Sequence, residues 1–382
     1  MRKADMKTEI IREWKRFEEL EGEWNTLLAG SRADTIFLRW EWIRSWRKIL
    51  GDDIKPFAVV VRDHEGVLAG VAPFYRTVYK LVHLLPYKVL RIMGDFPTGA
   101  ECLDWILRSD SESEASRAIA MTLANAAGEW DFLWMRYVPH WTGGRDRIRN
   151  VSAKQGFHFS EREVLFGDMP LPGSLDELLS SFGSSHRYNT RRDLKRTFEN
   201  PTTRFLHCRK EEEVPRFLDS LFQLHGLRWG QEGQPGTFRK KPNEARFYRD
   251  FAVQALRQNW LALYGIEISG ELKAVQYGYM YNGVYLQMQE GFDRESGRGL
   301  GNILRLKVIE DLIVQGIKTY DFLGEMSEHK KRWHATERAG SHLMIGNGKW
   351  KTGFLYKNNI WPTGRYLTHA EAKRHGGKEK EN

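Results

Sequence analysis

The segment FDRESGRGLGNIL, Phe292 to Leu304, sets a glycine cluster directly after two strand-like stretches and directly before a run with helical apolar spacing. A chain of this pattern turns sharply at the glycines and starts a helix there. Two registers of the turn are open. In one, Arg294, Gly297 and Gly299 spell R-x-x-G-x-G; in the other, the turn centres on Gly299 and Gly301, with Arg298 and Asn302 beside it. Both use the same backbone. N–H groups free of Cβ obstruction converge at the positive end of a helix, which suits a phosphate-bearing cofactor. The helix, ILRLKVIEDLIVQG, carries Ile303, Leu306, Leu312 and Ile313 near one side and ends at Gly316, the expected C-cap. No G-K-[ST] follows, so a Walker-type loop is set aside. The hairpin-like sequence ahead of the turn also argues against the parallel entry strand of a dinucleotide fold.

The length of 382 residues exceeds what one hydrophobic core usually organises, and the chain shows signs of an internal duplication. ISGELKAVQYGY in the second half echoes HEGVLAGVAPFY in the first, and Gly316–Leu323 (GIKTYDFL) echoes Gly128–Leu133 (GEWDFL). Where the second half has its glycine turn, the first has GDFPTGAECLDWIL, which lacks R-x-x-G-x-G. The expectation is an α/β (α+β) chain of two tandem lobes with mixed sheets flanked by helices. Residues 1–170 form a scaffold lobe, 171–365 the active lobe, and 366–382 a disordered basic tail. A capping box, Ser174 to Glu177 (SLDE), starts a helix between them.

Composition narrows the setting. Cys102 and Cys208 stand alone and far apart, which points to a reducing, cytoplasmic environment. No run approaches the ~18 apolar residues of a membrane span, so a soluble protein is expected. The net charge of +9 favours an anionic partner, whether cofactor phosphate, nucleic acid or lipid surface. None of the 12 histidines falls in H-x-x-x-H or H-E-x-x-H spacing, and no metal is expected.

The order of strand, glycine turn, helix and strand resembles the coenzyme A-binding core of GNAT acyltransferases. The run from Ser184 to Trp333 resembles, more narrowly, the GNAT-like acetyltransferase family associated with bacterial cellulose and exopolysaccharide synthesis. The segments SSHRYNTRRDLKR, FYRDFA, GFDRESGRGLGNILR and DFLGEMSEHKKRW carry that resemblance. It implies acetyl- or acyl-coenzyme A as cofactor and a small-molecule or saccharide acceptor. Tandem lobes are also the plan of the Fem-type peptidyltransferases, which use aminoacyl-tRNA; that chemistry is the alternative, and a non-catalytic GNAT-like scaffold is a third.

The resemblance also implies site residues. A carboxylate near the end of the strand before the cofactor loop often serves as base in GNAT folds, and Glu290 occupies that place. The alternation Leu286, Met288, Glu290 would put it on an apolar face, where burial raises its pKa. Tyr320 is the candidate general acid. Asp321, Lys330 and Trp333 fall where the family contacts substrate. Asp321 is echoed by Asp131, which suggests a fold role, whereas Glu325 has no echo and is the better catalytic candidate. In HRYNTRRDLKR, helical spacing stacks Arg187, Arg191 and Lys195 on one face. Such charges repel by a few tenths of a kcal/mol per pair unless an anion neutralises them, which suggests a phosphate or sugar-nucleotide site. Aromatic platforms for nucleic acid are absent there apart from Tyr188.

Overall fold

The computed structural model describes residues 6–50, 54–81, 85–231, 238, 242–362 and 367–369. The first part of the chain runs through β1 (Lys7–Ile11), α1 (Trp14–Glu18), α2 (Glu21–Ala29), α3 (Trp40–Leu50), β2 (Lys55–Arg62), β3 (Leu68–Leu81) and β4 (Leu85–Ile92). It continues through β5 (Ile106–Leu107), α4 (Glu112–Asn125), β6 (Phe132–Pro139), α5 (Gly144–Gln155) and β7 (His158–Pro170). Then come α6 (Leu175–Ser181), α7 (Ser184–Glu199), β8 (Thr203–His207), α8 (Val214–Gln231), α9 (Pro242–Arg257), β9 (Leu261–Ile268), β10 (Glu271–Tyr281) and β11 (Val284–Phe292). The last part holds α10 (Leu300–Val314), β12 (Thr319–Glu325), α11 (Glu328–Lys331), β13 (Thr336–Gly346), α12 (Trp350–Lys357) and β14 (Leu367–His369).

Two compact units result. Unit one takes residues up to Phe96, Ala100–Val164 and Ala339 onward; unit two takes Pro97–Gly99 and Leu165–Arg338. In unit one, β1, β2, β3 and β4 pair antiparallel in sequence. After α4, β6 lies parallel to β4 over only three residues, Val89–Arg91 with Phe132–Trp134. In unit two, β8, β9, β10 and β11 pair antiparallel. After α10, β12 lies parallel to β11, again over three residues, Val284–Leu286 with Thr319–Asp321. The same plan of antiparallel strands, helix and parallel strand therefore occurs twice.

Each sheet is completed by chain from the other half of the sequence. Phe166–Pro170, following α5, pairs with β12, while Gly340–Gly346, following α11, pairs with β6. Of the tail expected to be disordered, Leu367–His369 pairs with β3 at Tyr79–Leu81, and residues 366 and 370–382 lie outside the described residues.

The core of unit two forms where α10 covers the sheet. Leu300, Ile303, Leu304, Leu306, Val308, Ile309 and Leu312 are buried, a set wider than one stripe of the helix. Its end matches the sequence signal: Gly316 has φ +76, and Ile317 N–H reaches back to the Leu312 carbonyl. The capping box also forms, Ser174 Oγ accepting from Glu177 N and Glu177 Oε2 accepting from Gly173 N. Helix α8 packs on β10 and β11 on the opposite face of the sheet, since Gly265 faces Phe217 of α8 while its neighbour Tyr264 belongs to the α10 core.

The D-F-L echo does not hold the same place in the two units. Asp131 precedes the pairing of β6, its carboxylate accepting from Lys88 N and from Lys351 Nζ. Asp321 is the last residue of β12 paired with β11.

Candidate active site

Strands β11 and β12 part after Leu286 and Asp321. Beyond that point β11 continues to Phe292, while β12 leaves regular geometry, with φ +48 at Leu323 and +65 at Gly324. Lys330 holds this departure in place. Its ammonium donates to three carbonyls, those of Leu323, Gly324 (2.9 Å) and Glu325 (2.7 Å). The charge expected to meet substrate is thus spent on the strand end. A cleft of this kind, at the carboxyl ends of two parallel strands, is where open α/β sheets bind ligands.

The glycine turn stands at the same end. Asp293 folds the loop, one carboxylate oxygen accepting from Glu295 N (2.9 Å) and the other from Ser296 Oγ (2.6 Å). These bonds hold its carboxyl below the ordinary aspartate range. Gly299 caps α10 with φ +70, and no side chain caps the helix. A Cβ at Gly297 or Gly299 would meet nothing within 4 Å, whereas one at Gly301 would lie 2.6 Å from the Phe292 ring. Gly297 and Gly299 therefore leave the backbone open to a ligand, and Gly301 lets α10 pack on β11. Arg294, Arg298 and Asn302 are exposed around this turn.

Glu290 is not on the face that simple alternation assigns. A β-bulge shifts the register, Tyr277 pairing with Gln289 but Gly278 with Gln287, so Met288 is the extra residue. Beyond the bulge Glu290 shares a face with Gln287, and Gln287 Nε2 donates to it at 3.0 Å. Its principal partner is Arg305 of α10, at 2.5 Å, a buried guanidinium 2% exposed. A carboxylate paired in this way is poorly placed to accept a substrate proton.

Sequence reasoning missed Arg305. It also reaches His329 Nε2 (3.0 Å), and its guanidinium lies over Trp333 (5.1 Å) and Phe322 (5.8 Å). The network extends to Tyr320, fully buried, whose hydroxyl accepts from Gln276 and donates to Gln287 Oε1 at 2.7 Å. Burial pushes the Tyr320 phenol well above its ordinary pKa, so it keeps its proton. Trp333, 3% exposed, packs on Arg305 and Phe182 rather than facing solvent. An arginine flanked by Leu304 and Leu306, inside the apolar run of this helix, was the available signal.

Asp321 is a buried acid where the two strands part. It pairs in register with Asp168 of β7, so two buried carboxylates stand directly opposite each other. Asp168 is satisfied by Arg338 (2.7 Å) and Thr336 Oγ1 (3.2 Å). The Asp321 carboxylate accepts from Leu323 N at 2.8 Å. Burial, with Asp168 adding to it, raises its pKa to about 6, against the pull of Leu323 N–H, Arg338 and Lys330. Glu325 is exposed at the strand end.

The basic face of α7 differs from expectation. Arg191 pairs with Asp176 (3.1 Å), Lys195 with Glu199 (3.6 Å), and Arg187 donates to the Ser180 carbonyl (3.4 Å). The stacked charges are partly neutralised by the protein itself, in exposed pairs of small energetic weight.

In unit one the corresponding end of β4 is closed. Gly94 has φ +85, and a Cβ there would lie 2.9 Å from Trp42. Beside it a buried ion pair, Arg91 with Asp95 at 2.7 Å, fills the space under Trp134 and Phe96.

Known proteins resemble this chain in part and in whole. Residues 184–331 match the family model described as an acetyltransferase (GNAT) domain. No curated protein matches the chain. Among solved structures, FemX is similar at 14% identity and a TM-score of 0.60, over 89% of this chain and 98% of that one. The C-terminal domain of a putative lysylphosphatidylglycerol synthetase from Agrobacterium fabrum is similar at 11% identity and a TM-score of 0.52, over 89% and 95%. A conserved protein of unknown function from Bacteroides thetaiotaomicron is similar at 13% identity and a TM-score of 0.50, over 85% and 97%. The chain thus has a mixed α/β fold of two tandem GNAT-like lobes, and the stretch that matches the acetyltransferase domain lies in unit two.

Proposed function

We propose that unit two is an acyltransferase that takes an acetyl or acyl group from coenzyme A to an amine or hydroxyl of a cell-envelope or polysaccharide precursor in the cytoplasm. One observation carries this reading: an uncapped helix N-terminus behind two glycines whose Cβ positions are open, at the mouth of two parting parallel strands. These residues fit a pyrophosphate, with N–H groups at Gly297 to Asn302 aimed by the helix start and Arg294 and Arg298 exposed beside them. When bound, coenzyme A supplies the acyl group activated as a thioester.

The chain's own residues divide the remaining work. Arg305 and Tyr320 fix Glu290 and Gln287, so Glu290 orients the site rather than moving protons. Asp321, raised to about 6 and placed where the strands part, accepts the acceptor's proton near neutral pH. Glu325, Arg191 and Lys195, which are exposed, and Arg187, which is half-buried, would contact an anionic or hydroxylated acceptor.

A thermal-shift panel of acetyl-coenzyme A, coenzyme A, UDP-sugars and tRNA tests the reading. Ligand at 100 times its dissociation constant stabilises by about 2.7 kcal/mol. No response to either coenzyme A compound at millimolar concentration removes the acyltransferase. A response to tRNA alone establishes the second reading, Fem-like transfer from aminoacyl-tRNA, which the similarity to FemX favours.

A further inference from the structure

Helix α12 in unit one presents an unusual outer face. Thr352 and Leu355 are its buried side, and Leu355 joins a cluster with Tyr79, Tyr87, Phe132 and Trp361. Lys351 also turns inward, its ammonium 3.0 Å from Asp131 and 4.4 Å from the Tyr87 ring centroid. On the outside, Trp350 is 81% exposed and Phe354 48%. They lie one helical turn apart, and Lys357 and Asn358 continue the same stripe. Tyr356, also 48% exposed, stacks on His158 at 5.4 Å. Cations rim the aromatics: Lys349 and Lys357 are exposed at the two ends of α12, and exposed Arg162 lies over Trp361 at 4.6 Å.

An exposed tryptophan and phenylalanine at helical spacing, with cations on both sides, need explanation in a folded chain. A protein–protein core wants a wider apolar patch and is depleted in lysine. Tryptophan, tyrosine and lysine together are instead the composition of the membrane–water interface, where the rings enter the headgroup layer and the cations face lipid phosphates. No described helix is long and apolar enough to cross a membrane.

We propose that the outer face of α12 docks on an anionic lipid surface. Trp350 and Phe354 enter the headgroup layer, and Lys349, Lys357 and Arg162 face the lipid phosphates. This inference does not rest on the acyl-transfer reading, and either can fail alone.

Co-sedimentation of the full chain with phosphatidylglycerol–phosphatidylethanolamine vesicles, against phosphatidylcholine vesicles, tests it. The chain partitions to the anionic vesicles at physiological salt, and Trp350→Ser with Phe354→Ser lowers that partition at least tenfold. Equal binding to both vesicle types, or a double variant that binds like the wild type, overturns the proposal. A vesicle-free dimer abolished by the same substitutions also overturns it, since the face would then belong to a second copy of the chain. Brominated phosphatidylglycerol supplies a readout independent of the double variant's folding. It quenches tryptophan emission in the wild type and loses most of that effect in Trp350→Phe; unchanged quenching in Trp350→Phe contradicts the docking geometry.

Discussion

Replacing Asp321 by asparagine should stabilise the protein in a pH-dependent way. In the folded chain its pKa is raised from the ordinary 3.8 to about 6, chiefly by burial, with Asp168 opposite. An acid whose folded pKa is raised costs nothing below its unfolded pKa. The cost of ionising it grows as pH climbs through the two values and is complete above the folded one. The gap of two units corresponds to about 3 kcal/mol at 1.36 kcal/mol per unit. Asparagine keeps the acceptor for Leu323 N and carries no charge against Asp168. Asp321→Asn should therefore match the wild type near pH 4 and gain up to about 3 kcal/mol by pH 7.5. For a unit of this size the gain is roughly 6–12 °C in Tm. Thermal melts of both proteins across that range decide it. A difference that is constant with pH, or a variant less stable at pH 7.5 than the wild type, refutes the account of a strained buried acid and with it the proton-accepting role.

Other substitutions test separate parts of the site. Gly301→Ala should destabilise by about 1–3 kcal/mol through overpacking against Phe292, while Gly297→Ala, with open space at its Cβ, should change stability by less than about 0.5 kcal/mol in denaturant melts. Arg305→Met should cost about 3–5 kcal/mol because it leaves Glu290 without its buried partner, and adding Glu290→Gln should recover part of the loss in a double-mutant cycle. In unit one, burial near Arg136 and Arg162 lowers the His342 pKa to about 4, with Nδ1 accepting from Tyr137 N. A base held neutral in this way contributes fully above pH 6.5 and loses that contribution as pH falls toward 4. The acid-side fall in Tm should accordingly be shallower in His342→Asn.

Local signals were legible in the sequence because their partners lie within a few residues. The glycine turn, the Gly316 cap and the Ser174 capping box form where they were expected, and the two-lobe plan followed from the repeated order of hairpin, helix and strand. What failed depended on pairing across long separations. The bulge at Met288 reverses the face of Glu290, and only the register of β10 against β11 shows it. Asp168 and Asp321 face each other because the end of β7 pairs with β12, an exchange of strands between the two halves that no local pattern announces. Arg305 carried a faint signal, a charge in a buried helix, but its partners come from β11 and α11. On α7 the partner of Arg191, Asp176, lies on the preceding helix, whereas Lys195–Glu199 is an i,i+4 pair that was legible in the sequence.

The central claim is that the open glycine turn of unit two holds the phosphates of coenzyme A. Isothermal titration of acetyl-coenzyme A into the wild type and into Gly297→Val tests it most directly, because valine at this position meets no atom of the protein within 4 Å of its Cβ and should leave the fold intact. The account predicts saturable binding by the wild type and at least a tenfold weaker complex for Gly297→Val with an unchanged melting temperature in the absence of ligand. Equal affinity in the two proteins would contradict it, since the phosphates would then lie away from this turn.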